Sequence, residues 1–289
     1  MATGQPGPGR AGGDAARPQD LDTTVAHPAR IWDYWLGGKD NFAADREAAD
    51  KVLEAYPLAV EIARADRAFL VRVVRHLAAD LGLRQFLDIG TGLPTASNTH
   101  EVAQEAAPES RVVYVDNDPI VLVHARALLT SDPRGATAYV QADARDTDTI
   151  LAQAAATLDL SQPVAVMLLG ILLFIPDQDD PYAITARLMS ALPAGSYLAV
   201  SHGASDISEE EAATSASRYN ERSQVPMRLR TRAEFTRLFE GLEILAPGVV
   251  PVDLWQPGRA GTGTGLSCYC ALGRSRRKSA NATNAVFQP

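Results

Sequence analysis

From Gln85 onward, short apolar runs alternate with helix signals, and this alternation limits the available folds more than any other feature. The runs are QFLDI (85–89), RVVYV (111–115), TAYVQ (137–141), VAVMLL (164–169) and SYLAVS (196–201). Between them lie helix starts. Asn98 with Glu101 forms a capping box, Asp118 caps a helix with Pro119 at its first position, a helix runs from about Thr147 to Thr157, and Asp180-Pro181 opens another. Near-continuous apolar runs suit strands buried on both faces, and strands joined by helices run parallel. The alternation then changes. Ser208 with Glu211 and Thr231 with Glu234 predict helices over 209–222 and 232–239. Two late strands follow, near 242–246 and 266–272, joined by a Pro/Gly-rich stretch. They predict an antiparallel pair closing the sheet edge. The expected fold is an α/β domain with a seven-stranded, mostly parallel sheet and helices on both faces.

The chain before Gln85 divides in two. Residues 1–21 are rich in Gly, Pro and Ala and read as a disordered tail. Residues 22–82 read as an N-terminal helical cap. A first helix carries Ile31, Trp32, Trp35 and Leu36 and ends at Gly37-Gly38. A second spans about 43–55. A third, 61–81, shows Ile62, Ala65, Phe69, Val73 and Leu77 on one face and stops at Gly82. The main domain is expected over 83–273. Residues 274–289 form a basic tail with Arg274, Arg276, Arg277 and Lys278.

The 289 residues carry a net charge of −8, which argues against tight nonspecific nucleic-acid binding. No apolar run is long enough to span a membrane, and no signal-peptide core is present. A cytoplasmic location is expected. Cys268 and Cys270, two apart on a strand, point to one face and are too few for a metal site.

The segment Gln85–Thr95, QFLDIGTGLPT, carries the main functional signal. A buried strand runs into Gly90-Thr91-Gly92 ahead of a helix, a turn that lets backbone N–H groups approach a nucleotide-like ligand. The dinucleotide fingerprint would need a third glycine where Thr95 stands. Asp88 would repel a pyrophosphate and attract an ammonium group. Both count against an NAD-dependent oxidoreductase and point to S-adenosylmethionine. Asp116 ends the second strand, 26 residues after Gly90, where an acidic residue can accept bonds from ribose hydroxyls. Asp143 follows the third strand and could receive an adenine amino group. Asp118 and Asp146 read instead as helix caps.

The pieces FLDIGTG, YVDNDP, QADARD and LPAGSYLAVSH resemble the class I S-adenosylmethionine-dependent methyltransferases. More narrowly, HPARIWDYWLGGKDNFAADREAA, RAFLVRVVRHLA, QFLDIGTGLPT and VVYVDNDP resemble a family of actinobacterial S-adenosyl methyltransferases long treated as a domain of unknown function. The resemblance covers roughly 22–272, and YWLGGKDNF is its most specific part. It implies a Rossmann-like fold and the cofactor, but no substrate. Carried over, it implies Gly90, Thr91 and Gly92 beside the methionine part, Asp88 near its ammonium and Asp116 on the ribose. It implies Asn117 beside the adenine, Asp143 at the adenine amino group and Ala144 as a backbone contact. Lys39, Asp40 and Asn41 would lie across the mouth of the crevice, touching cofactor or substrate. Arg67 could pair with the cofactor carboxylate.

The chemistry expected is transfer of a methyl group to an unidentified small-molecule acceptor. The loop after the fourth strand, GILLFIPD, lacks the Asn/Asp-Pro-Pro-aromatic motif of adenine amino methyltransferases. Its apolar character favours a small or apolar acceptor over a nucleobase. His202, at the end of the fifth strand, is the best-placed titratable candidate for a base. Trp32, Tyr34 and Trp35 could line an acceptor pocket. The rival reading is a non-catalytic protein that binds the cofactor or a related nucleoside as a sensor or structural ligand. No metal is expected, and the oligomeric state is left open.

Overall fold

Two adjacent strands of the central sheet end on glycines with left-handed backbone, and the rest of the fold is arranged around that gap. The computed structural model describes residues 22–94, 97–128, 131–221 and 225–276. The expected tail 1–21, Thr95, Arg222 at the end of one expected helix, and Arg277 and Lys278 lie outside them. The strands are β1 (Gln85–Ile89), β2 (Arg111–Asp116), β3 (Ala136–Gln141), β4 (Ala165–Leu169), β5 (Tyr197–Gly203), β6 (Leu242–Ile244) and β7 (Cys268–Ser275). Their order is β3-β2-β1-β4-β5-β7-β6. The first five are parallel, and β7 runs antiparallel between β5 and β6. A two-residue ladder, Val250–Pro251, also pairs with β7.

The apolar runs fill both faces by simple alternation. In β1, Leu87 and Ile89 point into one core with Val113, Val115, Val166 and Leu168. Phe86 points into the other with Val112, Tyr114, Ala165 and Met167. The helices α6 (Thr147–Ala154), α7 (Pro181–Ser190) and α9 (Arg232–Arg237) supply the first core, for example through Ile150, Leu188 and Phe235. The helices α3 (Ala59–Arg75) and α4 (Thr99–Ala106) supply the second, through Phe69, Val73 and Val102. Helix α3 continues as one π turn, His76–Asp80, before the stop at Gly82. Helix α5 (Pro119–Leu128) follows β2.

Helices α1 (Pro28–Trp35), α2 (Ala43–Ala55) and α8 (Glu209–Asn220) form a separate small cluster through Ile31, Val52, Tyr56 and Tyr219. The expected helical cap thus serves two purposes. Its third helix packs on the sheet, while its first two join α8.

Most helix starts follow the expected side-chain chemistry. The Asn98 backbone N–H donates to Glu101 at 2.8 Å. Asp118 accepts from Ile120 N at 2.8 Å, and Asp146 accepts from Thr149 N at 3.1 Å, so both are caps. Thr231 and Glu234 close a reciprocal box. Ser208 departs from the pattern, since its side chain makes no cap bond. Arg274, read as the start of a basic tail, is the seventh residue of β7 and pairs with Glu243. Cys268 and Cys270 are free and buried in the same core, as their spacing requires.

One buried cation ties the loop after β4 to β5. Arg230 is fully buried; its guanidinium donates to Leu172 O, Ile175 O and Asp177 Oδ1, each at 2.9 Å, and lies 2.7 Å from His202 Nε2. Arg230→Ala removes the bonds to Ile175 O and His202 Nε2 and leaves Leu172 O only its bond from Ile175 N; it is expected to lower the unfolding free energy by at least about 2 kcal/mol. Urea denaturation checks it, and an unchanged midpoint would show the loop does not depend on this strut.

Candidate active site at the strand ends

Strand β1 ends at Gly90 and its neighbour β4 at Gly170, with φ of 74° and 62°. Left-handed backbone turns both chains sharply away and opens a crevice between them, where the winding of the sheet reverses. Gly90 allows no side chain at all, because a Cβ there would lie 2.6 Å from the Ile171 side chain. The crevice is a cavity of about 160 Å³.

Its walls come from every element the strand ends bring together. The β1 turn contributes Gly90, Thr91 and Gly92; β2 contributes Asp116 and Asn117; the turn after β3 contributes Asp143 and Ala144. Asp88 and Arg67 line one end, beside Asp66 from the same helix as Arg67. Trp32 and Asp33 of α1 cover it from above the sheet, and Ile171, Phe174 and Ile175 form the apolar wall.

The carboxylates differ in how they are held. Asp88 is buried and accepts from Thr99 Oγ1 at 2.6 Å; burial pushes its carboxyl up to about 6 despite that bond and the nearby Arg67 charge. Asp116 accepts from Gly92 N and Asp118 N, both at 2.9 Å, and burial again raises its carboxyl. Each of its oxygens keeps a second lone pair. Asp143 is half-exposed and bonded by both arms of Arg145, at 2.6 and 2.7 Å, which holds it below the usual carboxylate range. Arg67 donates to Asn98 Oδ1 at 3.1 Å, and burial lowers its pKa.

Four expected site residues lie apart from this lining. Lys39 is exposed. Asp40 N and Asn41 Nδ2 both donate to Asp33 Oδ2, at 3.0 and 2.8 Å, and so brace a wall residue from behind. Asp40 also sits 3.3 Å from His124. His202 requires a correction. It is buried outside the cavity lining, with Nδ1 at 2.8 Å from Gly203 O and Nε2 at 2.7 Å from the Arg230 guanidinium. Burial and Arg230 depress its pKa to about 3. Nδ1–H therefore donates to Gly203 O and Nε2 accepts from Arg230, which leaves no lone pair to take a substrate proton. Tyr34 bonds to Asp50 instead of lining a pocket.

Asp66 is the site residue the sequence reading passed over. A signal was present. It sits four residues after Ile62 and three before Phe69, a carboxylate on the apolar stripe of α3. Arg230 gave none, being one of several arginines in its stretch.

The donor set fits the cofactor the sequence suggested. One carboxylate, Asp88, and one arginine, Arg67, at one end suit the two charges of an α-amino acid. A carboxylate in the middle with free lone pairs suits a diol. Ile89, Leu93 and Ile175, also in the lining, suit a flat base. A crevice at the strand ends, where the winding of a mostly parallel sheet reverses, is where α/β folds take nucleotide-like ligands.

Comparison with known proteins agrees. A family model described as S-adenosyl methyltransferase matches residues 14–276. A crystal structure of a DUF574 family protein from Streptomyces avermitilis is 48% identical, covers 88% of this chain and 99% of its own, and superposes with a TM-score of 0.84. A candidate methyltransferase from Thermobifida fusca is 39% identical, with coverage of 91% and 100% and a TM-score of 0.82. No curated protein matches significantly. The chain belongs to the S-adenosyl methyltransferase family, and S-adenosylmethionine is its methyl donor.

Burying Asp88 has a cost that pH should expose. Its carboxyl holds a proton to higher pH folded than unfolded, so stability falls as pH rises from about 4 to about 6. Asp88→Asn keeps an acceptor for Thr99. It is expected to raise the unfolding free energy at pH 7 by on the order of 1–3 kcal/mol, with no gain near pH 4. An equal change at both pH values would refute the assignment.

Proposed function

We propose that this methyltransferase acts on a small, largely apolar acceptor, and that the strand-end residues divide the cofactor among them. The observation that carries the reading is the cavity itself, which joins charged residues at one end to an apolar wall at Ile171–Ile175. Asp88 and Arg67 face the amino-acid part, with Gly90, Thr91 and Gly92 beneath it. Asp116 takes the ribose hydroxyls, and Asn117, Asp143 and Ala144 flank the adenine. Asp40 and Asn41 act indirectly, by fixing Asp33, while the exposed Lys39 is left to touch cofactor or substrate at the mouth of the crevice. Residues 22–82 act as the cap and 83–273 as the cofactor-binding domain.

The bound cofactor supplies a methyl group already activated by its sulfonium charge. The chain's own residues then have to align and exclude water. Alignment of this kind can be worth roughly 7–11 kcal/mol. The cap helix α1, placed over the crevice by Trp32 and Asp33, is suited to both tasks.

The acidic surface supports the absence of a nucleic-acid partner. No helix among the described residues is long and apolar enough to cross a membrane. Two free buried thiols support a cytoplasmic setting.

Titration calorimetry tests the reading. S-adenosylmethionine and S-adenosylhomocysteine are expected to bind saturably and NADH not at all. Asp116→Ala is expected to weaken both by about tenfold or more, a loss of about 1.4 kcal/mol. Unchanged affinity in that variant would remove Asp116 from the ribose site.

A further inference from the structure

A second cavity, of about 90 Å³, lies against the first. Trp32, Gly170 and Phe174 line both. Its own walls are aromatic and aliphatic, with Trp35, Tyr56, Tyr219 and Leu173 among them, and no charged side chain lines it among the described residues. Trp35 Nε1 is buried nearby with no hydrogen-bond partner among them.

Asp66 lines the first cavity and not the second, and its carboxylate approaches their shared wall at Gly170. One carboxylate oxygen, Oδ2, lies 3.6 Å from where a Cβ on Gly170 would sit, and the Trp32 ring lies 3.3 Å from that same point. The Ser201 hydroxyl accepts from Gly170 N at 2.9 Å and is a hydrogen-bonding neighbour of Asp66. Oδ1 is buried with no hydrogen-bond partner among the described residues. Arg67 and Arg72 of its own helix, and Cys268 and Cys270 of β7, are the other titratable groups that act on it or feel it. A carboxylate oriented on one side and unpaired on the other, at a cavity wall, has the form of a poised base. Burial raises Asp66 to about 6, so it is ionised at neutral pH yet ready to accept a proton.

We infer that Asp66 is the general base of the methyl transfer, and that the apolar chamber beside it holds the acceptor, a flat uncharged molecule presenting a hydroxyl group. The inference rests on the methyltransferase reading above. An uncharged chamber disfavours carboxylate or ammonium acceptors, which would lose their hydration there. A neutral amine can attack with its lone pair before losing a proton, whereas a hydroxyl gains most from a base. In the step, the acceptor oxygen forms its bond to the methyl carbon as the carbon–sulfur bond breaks and its electron pair stays on sulfur. The hydroxyl reaches across the shared wall at Gly170, and its proton passes to the Asp66 carboxylate, whose Oδ2 lies nearest that wall. The products are the methyl ether, S-adenosylhomocysteine and a protonated carboxyl.

The test uses the full chain with 2-naphthol and 2-naphthoate as matched probes, read by calorimetry and by mass of the product. The cofactor-loaded protein is expected to bind 2-naphthol saturably and convert it to 2-methoxynaphthalene, and to leave 2-naphthoate unchanged. Asp66→Asn, which keeps the Ser201 bond, is expected to lower kcat by about a hundredfold or more with cofactor affinity within about twofold. Ser215→Leu, which fills the chamber from α8, should abolish 2-naphthol binding and spare cofactor binding. Loss of cofactor affinity in Asp66→Asn would move Asp66 to the cofactor and overturn its role as base. Binding of 2-naphthol without transfer would do the same. No saturable 2-naphthol binding, or methylation of 2-naphthoate at an equal rate, would overturn the chamber assignment. Failure of the unmodified chain to bind S-adenosylmethionine would instead overturn the parent reading.

Discussion

Asp66, Asp88 and Asp116 are each buried, and burial raises the pKa of all three. Desolvating carboxylates costs free energy that a protein selected for stability alone would avoid. Here each is kept by a specific donor: Thr99 for Asp88, Gly92 N and Asp118 N for Asp116, and Ser201 for Asp66. These donors sit on α4, on the turns after β1 and β2, and on β5. The strand order exists, in physical terms, to bring such donors to one edge. The two cores beneath, filled chiefly by β1, β2, β4, β5 and β7, supply the stability against which this strain is set.

Rigidity has its own source on the other side of the crevice. The loop after β4 is apolar and has few side-chain bonds of its own. Arg230 reaches it from the far side of β5 and satisfies two of its carbonyls. His202 completes this strut as a neutral partner, which is why a residue with the look of a base serves as scaffolding.

Much of this was legible in the sequence, and the limits have physical reasons. Strands β1 to β5 were readable because runs such as VAVMLL are too short for helices and too apolar for a surface. Asp116 was readable because it ends a strand at a spacing set by one βα unit. Asp66 was not picked out, because an acidic residue among apolar ones on a helix is visible only when burial of that face is taken seriously. His202 was misjudged because its partner, Arg230, lies 28 residues away and meets it only through tertiary packing. The extent of β7 escaped because SCYCALGRS carries no clear stop, and its last residues are held by pairing with Leu242 and Glu243.

Trp32 stands in the wall common to both cavities. A single indole cannot adjust to a guest on one side without reshaping the space on the other. With Phe174 also in both walls, occupancy of one cavity is linked to occupancy of the other, and linkage is reciprocal: whatever factor a ligand in the first imposes on affinity in the second, the second returns to the first.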